Sequence, residues 1–147
     1  MLSGSRSLVV LIVDDDLGDV MLVREALEGL GVPREIHVAR DGDEALAFLR
    51  REGDHAGAPR PDIVLLDLNM PRVGGHEVLT LVKADEELKS IPVVVFTTST
   101  AVEDIRASYA SHANAYVTKP VALDELFAAV RHIDTFFGGI ACLPTRG

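Results

Sequence analysis

From Asp62 to Pro71 the chain reads Asp62-Ile63-Val64-Leu65-Leu66-Asp67-Leu68-Asn69-Met70-Pro71, an apolar run that stops abruptly at the carboxylate of Asp67 and a turn. A strand with no polar relief on either face is buried on both, which is the habit of parallel sheets flanked by helices. Such a strand presents the residue that follows it at the sheet's C-terminal edge, where ligands and chemistry collect in open α/β sheets. The pattern recurs. Leu8 to Val13 ends in Asp14-Asp15-Asp16, Ile91 to Phe96 ends in Thr97-Thr98-Ser99-Thr100, and Ala115 to Thr118 ends in Lys119-Pro120.

Helical spacing fills the intervals. Val20, Val23, Leu27 and Leu30 form one stripe on a first helix stopped by Gly31 and Pro33. A short strand, Glu35 to Ala39, leads through Asp41-Gly42 to a helix carrying Ala45, Phe48 and Leu49, with Asp41 or Asp43 as its cap. Arg51 to Pro61 reads as a flexible loop. Val78, Leu79 and Val82 point inward from a third helix after Gly74-Gly75. The hydroxyl cluster from Thr97 to Thr100 suits the cap of a fourth helix, with Val102, Ile105 and Tyr109 on its apolar face. Leu123, Leu126, Phe127, Val130, Ile133 and Phe137 mark a last helix ended by Gly138-Gly139. Strands alternating with helices predict right-handed crossovers and a doubly wound parallel α/β sheet.

With 147 residues the chain suits one domain whose core is large enough to dispense with disulfides. A net charge of −9 argues against a direct nucleic-acid partner. No apolar run approaches the roughly 20 residues of a membrane span, and no secretion signal precedes the first acids, so a cytoplasmic location with no membrane partner is expected. The single cysteine, Cys142, lies in a Gly/Pro-rich tail and reads as an unpaired surface thiol. No histidine pair has zinc-ligand spacing.

Parallel strands bring the acids Asp14 to Asp16, Asp67, Thr97 and Lys119 to one edge. Clustered carboxylates repel unless a cation sits among them, and a hard ion with oxygen ligands such as Mg2+ is the natural one. A carboxylate nucleophile can form an acyl phosphate. Lys119 opposite the metal would neutralise charge on the transferred group, and Thr97 would donate to a phosphoryl oxygen. Each residue also has a plainer reading: helix caps for Asp14 to Asp16 and Thr97, a solvated charge for Lys119.

The combination Leu11-Ile12-Val13-Asp14-Asp15, Leu65-Leu66-Asp67-Leu68-Asn69-Met70-Pro71, Phe96-Thr97 and Tyr116-Val117-Thr118-Lys119-Pro120 resembles the receiver domain of bacterial two-component response regulators over residues 8–137. The wording around Asp16-x-Gly18-Asp19-Val20, the 51–61 loop, Thr97-Thr98-Ser99 and Tyr109 is similar to the single-domain regulators that accompany phytochromes. The resemblance implies a flavodoxin-like sheet of order 2-1-3-4-5. It also implies phosphorylation of Asp67, Mg2+ ligated by Asp15, Asp67 and the Asn69 carbonyl with Asp14 acting through water, and phosphoryl contacts from Thr97 and Lys119. Asn69 and Ser99 would tune access of the hydrolytic water. His112, where glycine is common, and Gly74, often an acid or asparagine, depart from the family pattern.

The implied donor is a sensor histidine kinase, a phytochrome-type one among them, or a phosphotransfer protein. The implied role is a phosphorelay switch rather than an enzyme, with self-catalysed phosphoryl transfer and slow autodephosphorylation. Residues 1–7 and 138–147 read as short tails without an output domain, so output is expected through protein contact. Thr97 would move toward the phosphoryl group and Tyr116 would turn, remodelling the face of the fourth helix, fifth strand and last helix. Of the adjacent Phe136 and Phe137, one can be core and the other exposed, which makes a homodimer through this face plausible. A haloacid-dehalogenase-type phosphatase is the alternative, but Asn69 stands where those enzymes place a second aspartate. A third reading, a degenerate receiver serving as a scaffold, fits poorly with a complete residue set.

Overall fold

A computed structural model describes residues 8–29 and 33–144. Five parallel strands form one sheet in the order β2-β1-β3-β4-β5, comprising β1 (Leu8–Val13), β2 (Arg34–Ala39), β3 (Ile63–Leu66), β4 (Val93–Thr97) and β5 (Ala115–Thr118). They alternate with α1 (Leu17–Glu28), α2 (Gly42–Arg50), α3 (Gly75–Ala84), α4 (Val102–Ala110) and α5 (Leu123–Thr135). Side chains of a strand alternate between faces, so each apolar run feeds two cores. Leu11, Val13, Val64, Leu66, Val93 and Val95 meet α2 and α3 on one face. Val10, Ile12, Ile63, Leu65, Val94 and Phe96 meet α1 and α5 on the other. The predicted doubly wound sheet and its order are therefore present.

Local boundaries differ in instructive ways. β4 begins at Val93, not Ile91, because Pro92 has no N–H for the ladder; its carbonyl accepts from Val64 N at 2.9 Å. Leu30 and Gly31, expected at the end of α1, lie outside the described residues. Asp41, not Asp43, caps α2, accepting from Glu44 N at 2.8 Å. The 51–61 segment is not a loose loop. It holds a 3-10 turn at Gly53–His55, His55 packs on Phe48, and Arg60 donates to the Glu87 carbonyl at 2.6 Å and to Ser90 Oγ at 2.9 Å.

The expected apolar face of α4 is not a core face. Val102 and Tyr109 are 54% and 50% exposed, and Ser108 is the helix's only buried residue. Nor does the hydroxyl cluster cap it: Ala101 occupies the N-cap, since Thr97 belongs to β4 and Ser99 directs its hydroxyl to Asp104. Gly138-Gly139 do not end the last helix either. They sit inside a π turn, Phe136–Ile140, that continues from α5; Phe136 is exposed while Phe137 packs against the core. Near that junction Asp134 receives a fork from Arg34, with Nε to Oδ1 at 2.6 Å and a terminal nitrogen to Oδ2 at 2.7 Å, the carboxylate buried and the guanidinium partly so. This pair ties the end of α5 to the start of β2.

His112 keeps the turn before β5 by adopting φ 72°. A side chain in that left-handed region costs roughly 1–2 kcal/mol.

Candidate functional site

Strands that all point one way end on one edge, and the main chain carries the ladder just past each end. Asp14 N donates to the Ala39 carbonyl (3.0 Å), Asp67 N to that of Val13 (2.9 Å), and Lys119 N to that of Thr97 (2.7 Å). The sheet thus fixes the backbone beneath each of these three side chains. Asp14, Asp67, Thr97 and Lys119 are all buried, whereas Asp15 is exposed.

Lys119 organises the charge. Its Nζ lies 2.7 Å from Asp14 Oδ2, 2.9 Å from Asp19 Oδ2 and 3.7 Å from Asp67 Oδ2. Burial alone would lower the lysine's proton affinity, but the hydrogen bonds it donates to Asp14 and Asp19, with the charges of Asp14 and Asp67, outweigh it and leave the ammonium held above its ordinary pKa. Burial pushes the Asp14 carboxyl up, with the Lys119 bond opposing that rise. One ammonium therefore serves several acids. Asp14, Asp15 and Asp67 each offer a carboxylate oxygen within 4.8 Å of the others. An all-oxygen donor set of that charge, part exposed and part buried, fits a hard divalent ion and its retained waters.

The acidic triplet divides its roles. Asp16 accepts from Asp19 N at 3.1 Å as the cap of α1, and Asp14 Oδ1 accepts from Asp16 N at 2.9 Å. The capping reading holds for Asp16; Asp14 and Asp15 turn to the site. Asn69 is exposed, its amide 3.5 Å from Asp67 Oδ1.

Thr97 Oγ1 is the one buried side-chain polar atom without a hydrogen-bond partner among the described residues. An unsatisfied buried hydroxyl costs on the order of 1–3 kcal/mol, so Thr97 Oγ1 is a donor left available at this edge. Tyr116 is half-buried, and its hydroxyl donates to the Ser99 carbonyl at 2.9 Å.

Sequence reasoning missed two contributors. Asp19 enters the sequence reading only within the Asp16-x-Gly18-Asp19-Val20 wording, yet it meets Lys119 across a separation of 100 residues. Gly75 reads as turn punctuation, yet a Cβ there would stand 2.2 Å from the Asp67 carbonyl oxygen. Only glycine lets α3 begin so close behind Asp67. The adjacency of Gly75 to a turn following Asp67 was the available signal.

Residues 10–131 match the model of the response regulator receiver domain. The chain is a response regulator receiver. This receiver is 43% identical over 136 residues to response regulator Rcp1 of Synechocystis, covering 92% of each chain. It is 41% identical over 140 residues to the probable methanogenesis regulatory protein FilR2 of Methanothrix harundinacea, covering 95% of this chain and 89% of the relative. Among solved structures, the phosphorylated cyanobacterial phytochrome response regulator RcpA superposes with a TM-score of 0.93 at 46% identity, over 95% of this receiver and all of that chain (100%). The Mn2+-bound form of Rcp1 gives 0.89 at 43% identity, over 93% and 99%. Receivers of two-component systems take phosphoryl groups from histidine kinases, so this receiver works in phosphorelay signalling. No described helix is long and apolar enough to cross a membrane.

Proposed function

We propose that Asp67 accepts a phosphoryl group from the phosphohistidine of a sensor kinase and that the resulting charge switches the surface around α4, β5 and α5. An Asp67 carboxylate oxygen attacks phosphorus, the P–N bond breaks, and its electron pair leaves on the imidazole nitrogen, which is then protonated. The protein is its own substrate, so the step is self-catalysed and occurs once per phosphorylation, with slow autodephosphorylation resetting it. Mg2+, the abundant hard cation, would be held by Asp15, Asp67 and the Asn69 carbonyl, with Asp14 acting through water. When bound it supplies charge neutralisation on the phosphoryl oxygens. Lys119 stabilises the opposite side, and Thr97 donates its unpaired hydroxyl. Asn69 and Ser99 flank the approach of hydrolytic water.

The observation that carries this reading is the placement of Asp67: 3.7 Å from the Lys119 ammonium and within 4.8 Å of oxygens from Asp14 and Asp15. A haloacid-dehalogenase-type hydrolysis has no such support, since the exposed Asn69 cannot serve as its general acid. Incubation with acetyl phosphate and Mg2+ followed by intact mass is expected to add one phosphoryl group to the wild type and none to Asp67→Asn. An adduct retained by Asp67→Asn overturns the assignment.

Residues 8–137 form the proposed signalling unit, acting in the cytoplasm with a phytochrome-type sensor kinase as donor. Output passes by protein contact, without direct nucleic-acid or membrane binding. The exposed Val102, Tyr109 and Leu123 favour a homodimer through the α4-β5-α5 face. Sedimentation with and without a phosphoryl mimic tests it, and a strict monomer in both states rejects it.

A further inference from the structure

The Asp16-x-Gly18-Asp19 stretch has no part in the proposed phosphoryl chemistry, yet its geometry leads into the site. Asp16 caps α1 by accepting from Asp19 N at 3.1 Å, which fixes the Asp19 main chain in the first turn. Gly18 leaves that cap its room, since a Cβ there would stand 3.2 Å from Asp16 Oδ1. From this turn Asp19 directs its carboxylate to Lys119, with Oδ2 2.9 Å from Nζ.

An ammonium carries three donors on a flexible stem, and what accepts them decides where the charge sits. Lys119 gives one to Asp14 Oδ2 at 2.7 Å and one to Asp19 Oδ2. The two acceptors come from different elements, the end of β1 and the first turn of α1, so together they hold Nζ from two sides. Asp67 Oδ2 lies 3.7 Å away, near enough for attraction but beyond a hydrogen bond. Without Asp19, the freed donor has Asp67 as the next carboxylate within reach. A hydrogen bond stabilises the charged carboxylate that accepts it, so a direct bond from Lys119 would make Asp67 the weaker nucleophile. It would also turn the ammonium from the incoming phosphoryl group to the acid that attacks it.

We infer that Asp19 is a positioning residue for Lys119: with Asp14 it holds the ammonium off Asp67 and keeps a donor for the transferred phosphoryl group, and the Asp16-x-Gly18-Asp19 turn is the device that places it. This deepens, and rests on, the assignment of Asp67 as phosphoacceptor. Asp14 is then the anchor shared with the metal site, and Asp19 the anchor whose task is the lysine alone.

The test is the rate of acetyl phosphate labelling of the full chain at saturating Mg2+, followed by intact mass and expressed per folded molecule from urea unfolding. A loss of helix stability alone leaves that rate unchanged. Loss of a hydrogen bond to a charged group, discounted because the Asp19 side chain is 31% exposed, is expected to slow Asp19→Ala about fivefold. Asp19→Asn, which keeps a neutral acceptor, should fall between Asp19→Ala and the wild type. In a Lys119→Ala background Asp19→Ala should slow labelling no further, because it acts through the lysine. A folded Asp19→Ala labelled at or above the wild-type rate, or the same loss persisting in the Lys119→Ala background, overturns the inference. Were Asp19→Ala to fail to fold, Asp19→Asn decides: slower labelling supports the role and a wild-type rate overturns it. Were Lys119→Ala to take no phosphoryl group, the single variants decide by the same rates. The wild type separates the two levels: no Asp67-dependent adduct means the phosphoacceptor reading has failed, whereas a normal adduct with wild-type rates in the Asp19 variants means only the positioning role has failed.

Discussion

Two halves of the same sheet edge are built in opposite ways. At β1 and β3, Asp14 and Asp67 rise from fully buried strands, their main chains continue the ladder, and Lys119 is buried among carboxylates. At β4 and α4, Thr97 has a buried hydroxyl with no partner, and the following helix buries only Ser108. The first half is held by ladder bonds and buried charge, as the proposed metal and phosphoryl chemistry would require. The second is held by a few polar contacts, as the proposed switch would require of a region of low local stability. One edge thus joins a firmly held acidic cluster to a weakly anchored helix.

The comparison is broken most severely at the rigid half. Gly75→Ala would drive a methyl group against the Asp67 carbonyl, and we expect a loss of about 3 kcal/mol in urea unfolding together with slower acetyl phosphate labelling. Divalent metal should act on the same half. Mg2+ at one hundred times its dissociation constant is expected to stabilise the fold by about 2.7 kcal/mol, and Asp15→Asn should reduce that gain; thermal melts with and without chelator measure it.

Effects on the weakly anchored side should be smaller. His112→Gly relieves the left-handed strain at φ 72° and should raise stability by about 1 kcal/mol without changing phosphoryl transfer. The smallest expected effect is electrostatic. Because the Asp104 carboxyl is held below its ordinary value of 3.8, its contribution is fully present above that value and is lost as pH falls through the still lower folded value. Urea midpoints of wild type and Asp104→Asn should therefore converge only under strongly acidic conditions. Convergence already near neutral pH would mean that the carboxylate is not the anchor.

The same contrast governed what the sequence made legible. Leu8 to Val13 and Ile63 to Leu66 are apolar on both faces, and only a strand covered on both sides accommodates that, so the sheet and the edge where Asp14 and Asp67 stand could be read directly. Val102, Ile105 and Tyr109 have helical spacing too, but spacing alone does not say whether an apolar stripe meets a core or is left exposed, and here much of it stays exposed. The contact of Asp19 with Lys119 escaped notice because a first-turn acid has an adequate local reason to exist. Its real partner is set by the fold, 100 residues away. Gly75 escaped for a related reason: close approach of two main chains leaves no mark on sequence beyond the glycine itself.

The forked ion pair between Arg34 and Asp134 gives the last helix a fulcrum. Asp134 stands one residue from the end of α5, and Leu123 begins the helix beside the Lys119-Pro120 turn. At 1.5 Å per residue the arm between them is roughly 16 Å. A swing about Asp134 would preserve the ion pair and be largest at the end nearest Lys119 and smallest at the base of β2. The receiver would then transmit direction as well as occupancy, since a pinned lever can turn only along its arc.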